Sequence, residues 1–291
     1  MIYRMLAINI DGTLLQSNGK LHKSTKEAIE FVQQKGIYVT LVTSRTFPSA
    51  KKVAKTLKLQ TNLITHKGAY IAKDIERPVH SSRINDHISY DLVRLLEGFP
   101  CQIRLVHEHF SLANKYKLNH KLLSKTVFTT GDPIAYSQQF VDSIGDTIAD
   151  EPATPLSIEV YFEYKEDLKD VQEAIRKMYH EVECLPSNES NELRLNIVPA
   201  GVSKLTGLLY LAERLGISKS EIVYIGDDLD DIELIHGAGL GVAMGNSPFE
   251  VKRAADWITR SQNQHGVAYV VKEHFRKQPQ IEFLRKLNII K

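Results

Sequence analysis

The segment with the clearest chemical potential begins at Asn9, directly after the apolar run Met5–Ile8. Asp11, Gly12 and Thr13 follow within four positions. Acidic, glycine and hydroxyl residues directly after a buried strand lie at the carboxyl edge of a parallel sheet, where α/β proteins place their ligand sites. We therefore expect a reactive or binding site at this edge. The side chain at position 9 is an amide, which is a much poorer nucleophile than a carboxylate.

A second polar segment follows a later apolar strand and is strongly acidic. Gly226 precedes Asp227, Asp228, Asp230 and Asp231, which are four aspartates within five positions. Like charges this close disfavour one another's ionisation, so the group needs a positive partner. A hard divalent cation with oxygen ligands meets that need, and Mg²⁺ suits a phosphate site. Such a run on its own is more often a solvated turn than a metal site.

Two further segments bring polar groups to the ends of predicted elements. Thr43 and Arg45 follow a second apolar strand over Ile37–Val42. Lys204 lies near the start of a helix predicted over Ser203–Leu215. A lysine and a hydroxyl at one sheet edge can hold the oxygens of a phosphoryl group. Each residue is ordinary alone, but together and in this order the segments favour a phosphate site.

The elements that must position these residues predict an α/β core with a parallel sheet. Tyr3–Ile10, Ile37–Val42 and Glu221–Ile225 are almost uniformly apolar, which is typical of strands covered on both faces. Between the first two strands, residues 24–27 form a capping box that predicts a helix start. Gly36 then supplies the left-handed end of that helix.

The middle of the chain has a different pattern. Gln102–His107 and Ser157–Glu163 alternate apolar and polar residues, as in an antiparallel sheet with one face open to water. We therefore predict a core domain over residues 1–82 and 195–291. An inserted α/β domain over residues 83–194 interrupts it.

Two segments of the inserted domain carry more specific predictions. The polar stretch Thr129–Pro155 predicts a loop or a poorly defined helix. Helical spacing over Lys165–Tyr179 predicts a helix with a single apolar face. That face comprises Leu168, Val171, Ile175 and Met178.

The composition is that of an ordinary globular protein, with 43% hydrophobic and 25% charged residues. The net charge of +2 provides no bulk field that attracts nucleic acid or a membrane. The chain shows neither an apolar run of about 18 residues nor a secretory leader, so we expect a cytoplasmic protein. Cys101 and Cys184 are far apart and are expected to be buried, unpaired thiols.

Taken together, the motifs resemble those of Cof-type phosphatases of the haloacid dehalogenase (HAD) superfamily, from the first strand to about Val270. In that family a DxDGT motif precedes a Thr or Ser at the end of the second strand, an inserted cap, a Lys and a GDxxND motif. Asn246, in the segment Gly241–Asn246, also falls in a stretch that resembles the family. The matching residues are Asp11, Gly12, Thr13, Thr43, Arg45, Lys204, Gly226, Asp227 and Asp231.

This resemblance implies a Rossmann-like parallel-sheet core, an α/β cap that selects the substrate, and hydrolysis of small phosphorylated metabolites. The first motif position, Asn9 here, would carry the nucleophile that forms an aspartyl-phosphate. Asp11 would protonate the leaving oxygen and then activate water. Thr43 and Lys204 would steady the phosphoryl group. The partner that the resemblance implies is a small phosphorylated metabolite. Because of the low net charge no nucleic-acid or membrane partner is expected, and the chain is expected to be a monomer or homodimer.

The resemblance also implies a Mg²⁺ cofactor. Its ligands would be the side chain at position 9, the backbone carbonyl of Asp11, and Asp227, with Asp231 supporting them. The residues implied to contact phosphate or substrate are Gly12, Ser44, Arg45, Lys67 and Asn246.

Four positions depart from the family pattern. Asn9 replaces the nucleophilic Asp, Ser44 replaces a Gly, Lys67 replaces an Asn, and Asp230 replaces the Asn of the acidic motif. Loss of a covalent nucleophile can remove several orders of magnitude of rate. An amide also removes repulsion toward a phosphate dianion, and Lys67 adds a positive charge. Phosphate binding can therefore survive where turnover does not.

Three functions are compatible with these departures. The first is a phosphatase of small phosphorylated metabolites in which Asn9 is an engineered change or another route compensates for it. The second is a catalytically impaired relative that binds a phosphorylated metabolite or a partner. The third is a phosphoryl-transfer enzyme such as a sugar phosphomutase.

Overall fold

The apolar run before Asn9 forms an inner strand of a parallel sheet in the computed structural model of the chain. The structure describes residues 2–117, 136–186, 193–287 and 289. The strands there are β1 Met5–Ile8, β2 Tyr38–Leu41, β3 Leu63–Thr65, β4 Tyr70–Asp74, β5 Arg77–Ser81, β6 Cys101–Val106, β7 Phe110–Asn114, β8 Ser137–Val141, β9 Ser157–Phe162, β10 Val182–Pro186, β11 Arg194–Pro199, β12 Ile222–Gly226, β13 Leu240–Ala243 and β14 Trp257–Ile258.

In the described residues, helices alternate with strands along much of the sequence. They are α1 Lys23–Gln34, α2 Phe47–Thr56, α3 Asp86–Leu96, α4 Ile144–Asp150, α5 Lys165–Met178, α6 Lys204–Arg214, α7 Ile232–Gly237, α8 Phe249–Ala254, α9 Gly266–His274 and α10 Ile281–Lys286. None of the helices in these described residues combines the length and the apolar character that crossing a lipid bilayer requires.

The chain divides into two compact units. The first comprises Met1–Ser44, Ala50–Asp74 and Ser203–Lys291, and the second comprises Arg45–Ser49 and Ile75–Val202. The first contains a sheet in the order β14-β13-β12-β1-β2, and the second contains a sheet in the order β10-β11-β9-β6-β7-β8. The predicted α/β class with a parallel sheet is confirmed. The domain limits predicted from the sequence stay a prediction.

Strand β1 shows why the first unit brings polar residues to one edge. All four residues of Met5–Ile8 are fully buried, as their uniformly apolar sequence requires. The strand runs parallel to β2 and β12, so Ile8 pairs with Leu41 on one side and Ile225 on the other. Because the three strands end together, the polar residues that follow them emerge at the same carboxyl edge.

The helix ends of the first unit agree with the sequence in part. Helix α6 begins after Ser203, whose hydroxyl accepts from the backbone N–H of Thr206 at 3.1 Å, as the prediction of a helix start there requires. Gly36 follows α1 with φ +77°, which confirms the left-handed end. The capping box predicted at residues 24–27 is wrong, because α1 begins one residue before it. His22 caps that helix, and its ring nitrogen accepts from the Ser24 N–H at 3.2 Å.

The second unit packs helices against a mostly antiparallel sheet. Strand β9 runs antiparallel to both β6 and β11, as the alternating patterns predicted. The predicted helix is α5, and it buries Val171 and Ile175 against the sheet. Met178 was expected on the same face but is 60% exposed, because α5 ends there beyond the packed turns. Cys101 and Cys184 are buried free thiols, as expected.

The polar stretch Thr129–Pro155 contains more regular structure than its sequence indicates. Residues 129–135 lie outside the described residues. Beyond them, Ser137–Val141 forms strand β8, which pairs in parallel with β7, and Ile144–Asp150 forms helix α4. The loop alternative is wrong for β8, which is the last strand of its sheet and remains largely exposed, so it needs no apolar pattern. The alternative of a helix agrees with α4.

Candidate active site

Asn9 lies buried at the carboxyl edge of the parallel sheet, with only 5% of its surface exposed. Its backbone N–H continues the ladder by donating to the Ile225 carbonyl at 2.9 Å. Its side-chain nitrogen, Nδ2, donates to the backbone carbonyl of Asp11 at 3.0 Å and to Oδ1 of Asp227 at 3.1 Å. A carbonyl and an ionised carboxylate only accept hydrogen bonds, so the nitrogen end of the amide must face them. The amide therefore links the two polar segments.

Gly12 allows these segments to approach each other closely. Its φ is +69°, and a Cβ added there would lie 1.8 Å from Oδ2 of Asp227. Only glycine fits this combination of conformation and contact. Asn246 supports the same turn, because its Nδ2 donates to the Gly12 carbonyl at 2.9 Å. The backbone N–H of Gln262 in turn donates to Oδ1 of Asn246 at 2.9 Å.

Asp227 accepts a hydrogen bond from Asn9, and its environment disfavours ionisation. Burial is the main cause that raises the pKa of Asp227 to about 6. The hydrogen bond from Thr13, at 2.6 Å to Oδ1, opposes that rise, the nearby Asp231 charge adds to it, and the Asn9 bond opposes it again. Asp227 is therefore partly protonated in mildly acidic solution.

Lys204 lies within the acidic segment. Its Nζ is 2.8 Å from Oδ1 of Asp231 and 2.9 Å from Oδ1 of Asp230, and 5% of its side chain is exposed. Burial by itself lowers the pKa of Lys204, but the charges of Asp231 and Asp230 outweigh it and the pKa is raised. Lys204 is therefore a permanent positive charge at this edge.

Asp231 organises the acidic turn from a fully buried position. Its Oδ1 accepts from Lys204 and from the hydroxyl of Tyr224 at 2.6 Å. Its Oδ2 accepts from the backbone N–H of Asp227 at 2.9 Å and of Asp228 at 3.2 Å. Burial and the Asp231 charge raise the pKa of Tyr224 well above its usual range, so this hydroxyl stays a donor. Both oxygens of Asp231 are thus engaged inside the protein.

Asp230 faces the same cluster rather than pointing away from it. Its Oδ1 accepts from Lys204, and its Oδ2 accepts from the hydroxyl of Ser44 at 3.3 Å. The Ser44 and Asp230 departures from the family pattern are therefore in contact with each other. They bring the end of strand β2 to the acidic turn.

The Lys67 turn lies beside Thr43. Lys67 has φ +57°, and its backbone N–H donates to the Thr43 carbonyl at 3.3 Å. The following residue, Gly68, has φ +103°, and a Cβ there would lie 2.0 Å from the Ser203 carbonyl. This close approach holds the Lys67 turn against the start of helix α6. Thr43 itself is buried.

The structure thus brings most of the predicted site residues together within the first unit. Arg45 is the exception, because it belongs to the second unit, where its guanidinium donates to the hydroxyl of Ser49 at 3.3 Å. Asp11 contributes its backbone carbonyl to the Asn9 contact, and its side chain is exposed. The roles assigned to all these residues stay predictions.

Two residues of the site were assigned no role from the sequence. Thr13 was part of the first motif. Its hydroxyl, two residues after Asp11, could have been predicted to donate to a carboxylate, which is Asp227 in the structure. Tyr224 lies inside the apolar strand β12, where its side chain reads as part of the core. Its sequence position carries no sign of the Asp231 contact.

A bound Mg²⁺ is what the resemblance implies, but the side chains as arranged do not fit it. Mg²⁺ requires converging oxygen ligands in near-octahedral geometry. Asn9 presents N–H groups, not oxygen, to the Asp11 carbonyl and Asp227, and Asp231 has both oxygens engaged. Within residues 2–117, 136–186, 193–287 and 289, no three His, Cys, Asp or Glu side chains gather as a metal-binding group.

Comparison with known proteins identifies the family. The sequence model described as haloacid dehalogenase-like hydrolase matches residues 6–271. The stress response protein YhaX of Bacillus subtilis is 50% identical over 289 residues, which cover 99% of both chains. The phosphatase YwpJ of the same organism is 28% identical over 92% of this chain and 99% of its own.

A solved structure agrees with these matches. A haloacid dehalogenase-like hydrolase from B. subtilis superposes with a TM-score of 0.76 at 24% identity, covering 94% of this chain and 100% of its own. At that identity the likeness shows the fold alone. From the match over residues 6–271 and the 50% identity to a full-length relative, the chain belongs to the haloacid dehalogenase-like hydrolase family, a family of phosphatases.

Proposed function

We propose that this chain binds small phosphorylated metabolites at the carboxyl edge of its parallel sheet and hydrolyses them little or not at all. The observation that carries the proposal is the orientation of Asn9. Its amide nitrogen is directed at Asp227 and at the Asp11 carbonyl. An amide cannot form the acyl-phosphate that a carboxylate would form in this position. Loss of a nucleophile leaves binding and electrostatic stabilisation in place.

The charges of the site repel a phosphate group less than they would with an aspartate at position 9. An amide at position 9 places one negative charge fewer beside the ligand, and burial reduces the charge of Asp227 further by raising its pKa. Lys67, whose backbone N–H donates to the Thr43 carbonyl, adds a positive charge to this part of the chain. Lys204 can exchange its contact with Asp230, whose side chain is 32% exposed, for a phosphate oxygen. It keeps its contact with the fully buried Asp231.

Slow phosphomonoester hydrolysis is the second candidate, and the exposed side chain of Asp11 favours it. In this route the Asp11 carboxylate takes a proton from water as the water oxygen attacks phosphorus. The bond from phosphorus to the ester oxygen breaks, the leaving oxygen takes up a proton from solvent water, and Asp11 then returns its proton to solvent. Residue 9 forms no covalent bond. The sugar phosphomutase alternative stays a prediction from the sequence.

A paired assay tests the proposal. The chain and its Asn9→Asp variant are compared for release of phosphate from a panel of sugar phosphates and nucleoside monophosphates. We expect the variant to turn over at least about 1,000-fold faster, because it regains the nucleophile. Turnover of the unaltered chain at the rate of the variant would refute the proposal that the chain is catalytically impaired.

Binding is measured separately on the unaltered chain. We expect inorganic phosphate or a panel ester to raise its melting temperature, because a ligand that binds only the folded state stabilises it. Lys67→Gln is the matched control and is expected to shift less. If neither phosphate nor any ester shifts the melting temperature, the binding proposal fails.

With one exception, the remaining predictions from the sequence belong to the same proposal. Phosphotransferases of this superfamily typically use a divalent metal. The Mg²⁺ predicted from the sequence is not part of this proposal, because the side chains around Asn9 do not fit it. Action in the cytoplasm, as a monomer or homodimer and without a nucleic-acid or membrane partner, stays a prediction.

A further inference from the structure

The nitrogen of Asn9 lies where two oxygen atoms of the site converge. The Asp11 carbonyl oxygen is 3.0 Å from it, and Oδ1 of Asp227 is 3.1 Å from it. Oxygens from separate segments that point at one place are the usual setting of a hard cation. Here that place holds an NH₂ group with two hydrogen-bond donors. We propose that the Asn9 amide takes the place of the divalent cation, so that this site is complete without a metal.

The other carboxylates of the acidic segment also have donors within the protein. Asp231 has Lys204 and Tyr224 as partners, and Asp230 has Lys204. Asp228 accepts from the backbone N–H of Leu229 at 2.7 Å. Each of these carboxylates therefore has a donor within the protein.

Asp227 is the carboxylate that a cation would be expected to bind, and its Oδ1 has two donors. Asn9 Nδ2 lies 3.1 Å from it and Thr13 Oγ1 lies 2.6 Å from it. Two donors match the two lone pairs of a carboxylate oxygen. An aspartate at position 9 would replace one of these donors with a second negative charge. The residue at position 9 thus decides whether residue 9 and Asp227 need a cation between them.

Binding a cation here would require the Asn9 amide group to rotate by about 180° so that its oxygen and nitrogen exchange places. Its Oδ1 would have to replace Nδ2, and both hydrogen bonds to Asp11 and Asp227 would be lost. The ion would then meet one carboxylate where an aspartate at position 9 would provide two. We expect Mn²⁺, used as a probe for Mg²⁺, to bind the unaltered chain at least about 100-fold more weakly than Asn9→Asp, since loss of even an outer partner of a metal ligand can cost that much.

This inference goes beyond the proposed function, because it concerns folding and metal affinity and assumes no phosphate binding. The full-length chain and Asn9→Asp are freed of metal, and bound Mn²⁺ is counted by electron paramagnetic resonance. One ion per chain is expected only in Asn9→Asp, and adding Asp227→Asn to that variant should abolish it. Equal Mn²⁺ binding by the unaltered chain and Asn9→Asp, whether strong or absent, would overturn the proposal.

Melting temperature gives an independent readout. The unaltered chain should melt at the same temperature in EDTA and in millimolar MgCl₂. Asn9→Asp should melt lower in EDTA and gain about 2–4 °C or more in MgCl₂. If Asn9→Asp does not fold in EDTA, refolding it with MgCl₂ should restore it.

A second variant removes the donor without adding a charge. Asn9→Ala should melt below the unaltered chain, and MgCl₂ should not restore it. An Asn9→Ala chain as stable as the unaltered one would show that the Asn9 amide does not take the place of a cation. Phosphate binding in EDTA is recorded separately, so a failure of the proposed function and a failure of this inference are distinguishable.

Discussion

Lys204 and Asp231 form an ion pair in the interior of the first unit, with 2.8 Å between Nζ and Oδ1. The Asp231 side chain is fully buried, and Lys204 is 5% exposed. The pair joins the start of helix α6 to the acidic turn after strand β12. Removing one partner would leave the other charge buried without compensation, which is far more costly than losing a surface pair.

We expect Lys204→Met to lower the free energy of unfolding by about 3–5 kcal/mol, because it leaves Asp231 unpaired. Urea denaturation would measure the loss. Lys219→Met, at an exposed position, is the matched control and should change stability by less than about 0.5 kcal/mol. Equal stability of the two variants would show that the buried pair contributes nothing.

Gly12→Ala is expected to be much more damaging than Gly19→Ala. Both glycines have positive φ, +69° and +74°, so both substitutions carry backbone strain of about 1–2 kcal/mol. Only at Gly12 would the new Cβ collide with Asp227, at 1.8 Å, whereas at Gly19 no atom lies within 4 Å. The melting temperatures of the two variants measure the difference. Equal losses would mean that the approach of Gly12 to Asp227 is not tight in solution.

The raised pKa of Asp227 makes the free energy of unfolding depend on pH. Because its folded pKa of about 6 lies above the ordinary aspartate value of about 3.9, the folded state holds the proton more tightly. The unfolding free energy therefore falls as pH rises between these two values and then levels off. We expect this slope in the difference between the unaltered chain and Asp227→Asn, measured by urea denaturation at several pH values. A difference that rises with pH would contradict the raised pKa.

Tyr224→Phe removes the hydroxyl that donates to Asp231 at 2.6 Å. We expect a loss of about 1.5–3 kcal/mol of unfolding free energy, as for other hydrogen bonds to charged groups. Tyr38→Phe is a control in the same unit, because the Tyr38 hydroxyl accepts from the neutral Asn62 N–H at 2.9 Å. Its loss should be about 0.5–1.5 kcal/mol. Denaturation curves that rank the two variants in the opposite order would refute the role given to Tyr224.

The fold could be predicted where burial is expressed in residue type. Strands β1, β2 and β12 are covered on both faces, so their sequences are uniformly apolar and their positions were clear. Strand β8 lies at the exposed end of its sheet and has no such pattern, so it was missed. The start of α1 was misplaced because a His22 ring nitrogen serves as the cap in place of the usual hydroxyl or carboxylate.

The candidate site could be predicted as a set of segments but not as a set of contacts. By itself, the sequence determined that Asn9, Lys204 and the acidic turn end or begin elements of one α/β core, and that position 9 carries an amide. Only the tertiary structure decided that Asn9 donates to Asp227, across 218 positions of the chain. It also decided that Arg45 belongs to the second unit. The reason is physical: periodicity records which side of an element is buried, whereas a hydrogen bond depends on where two distant segments meet and which atoms they present.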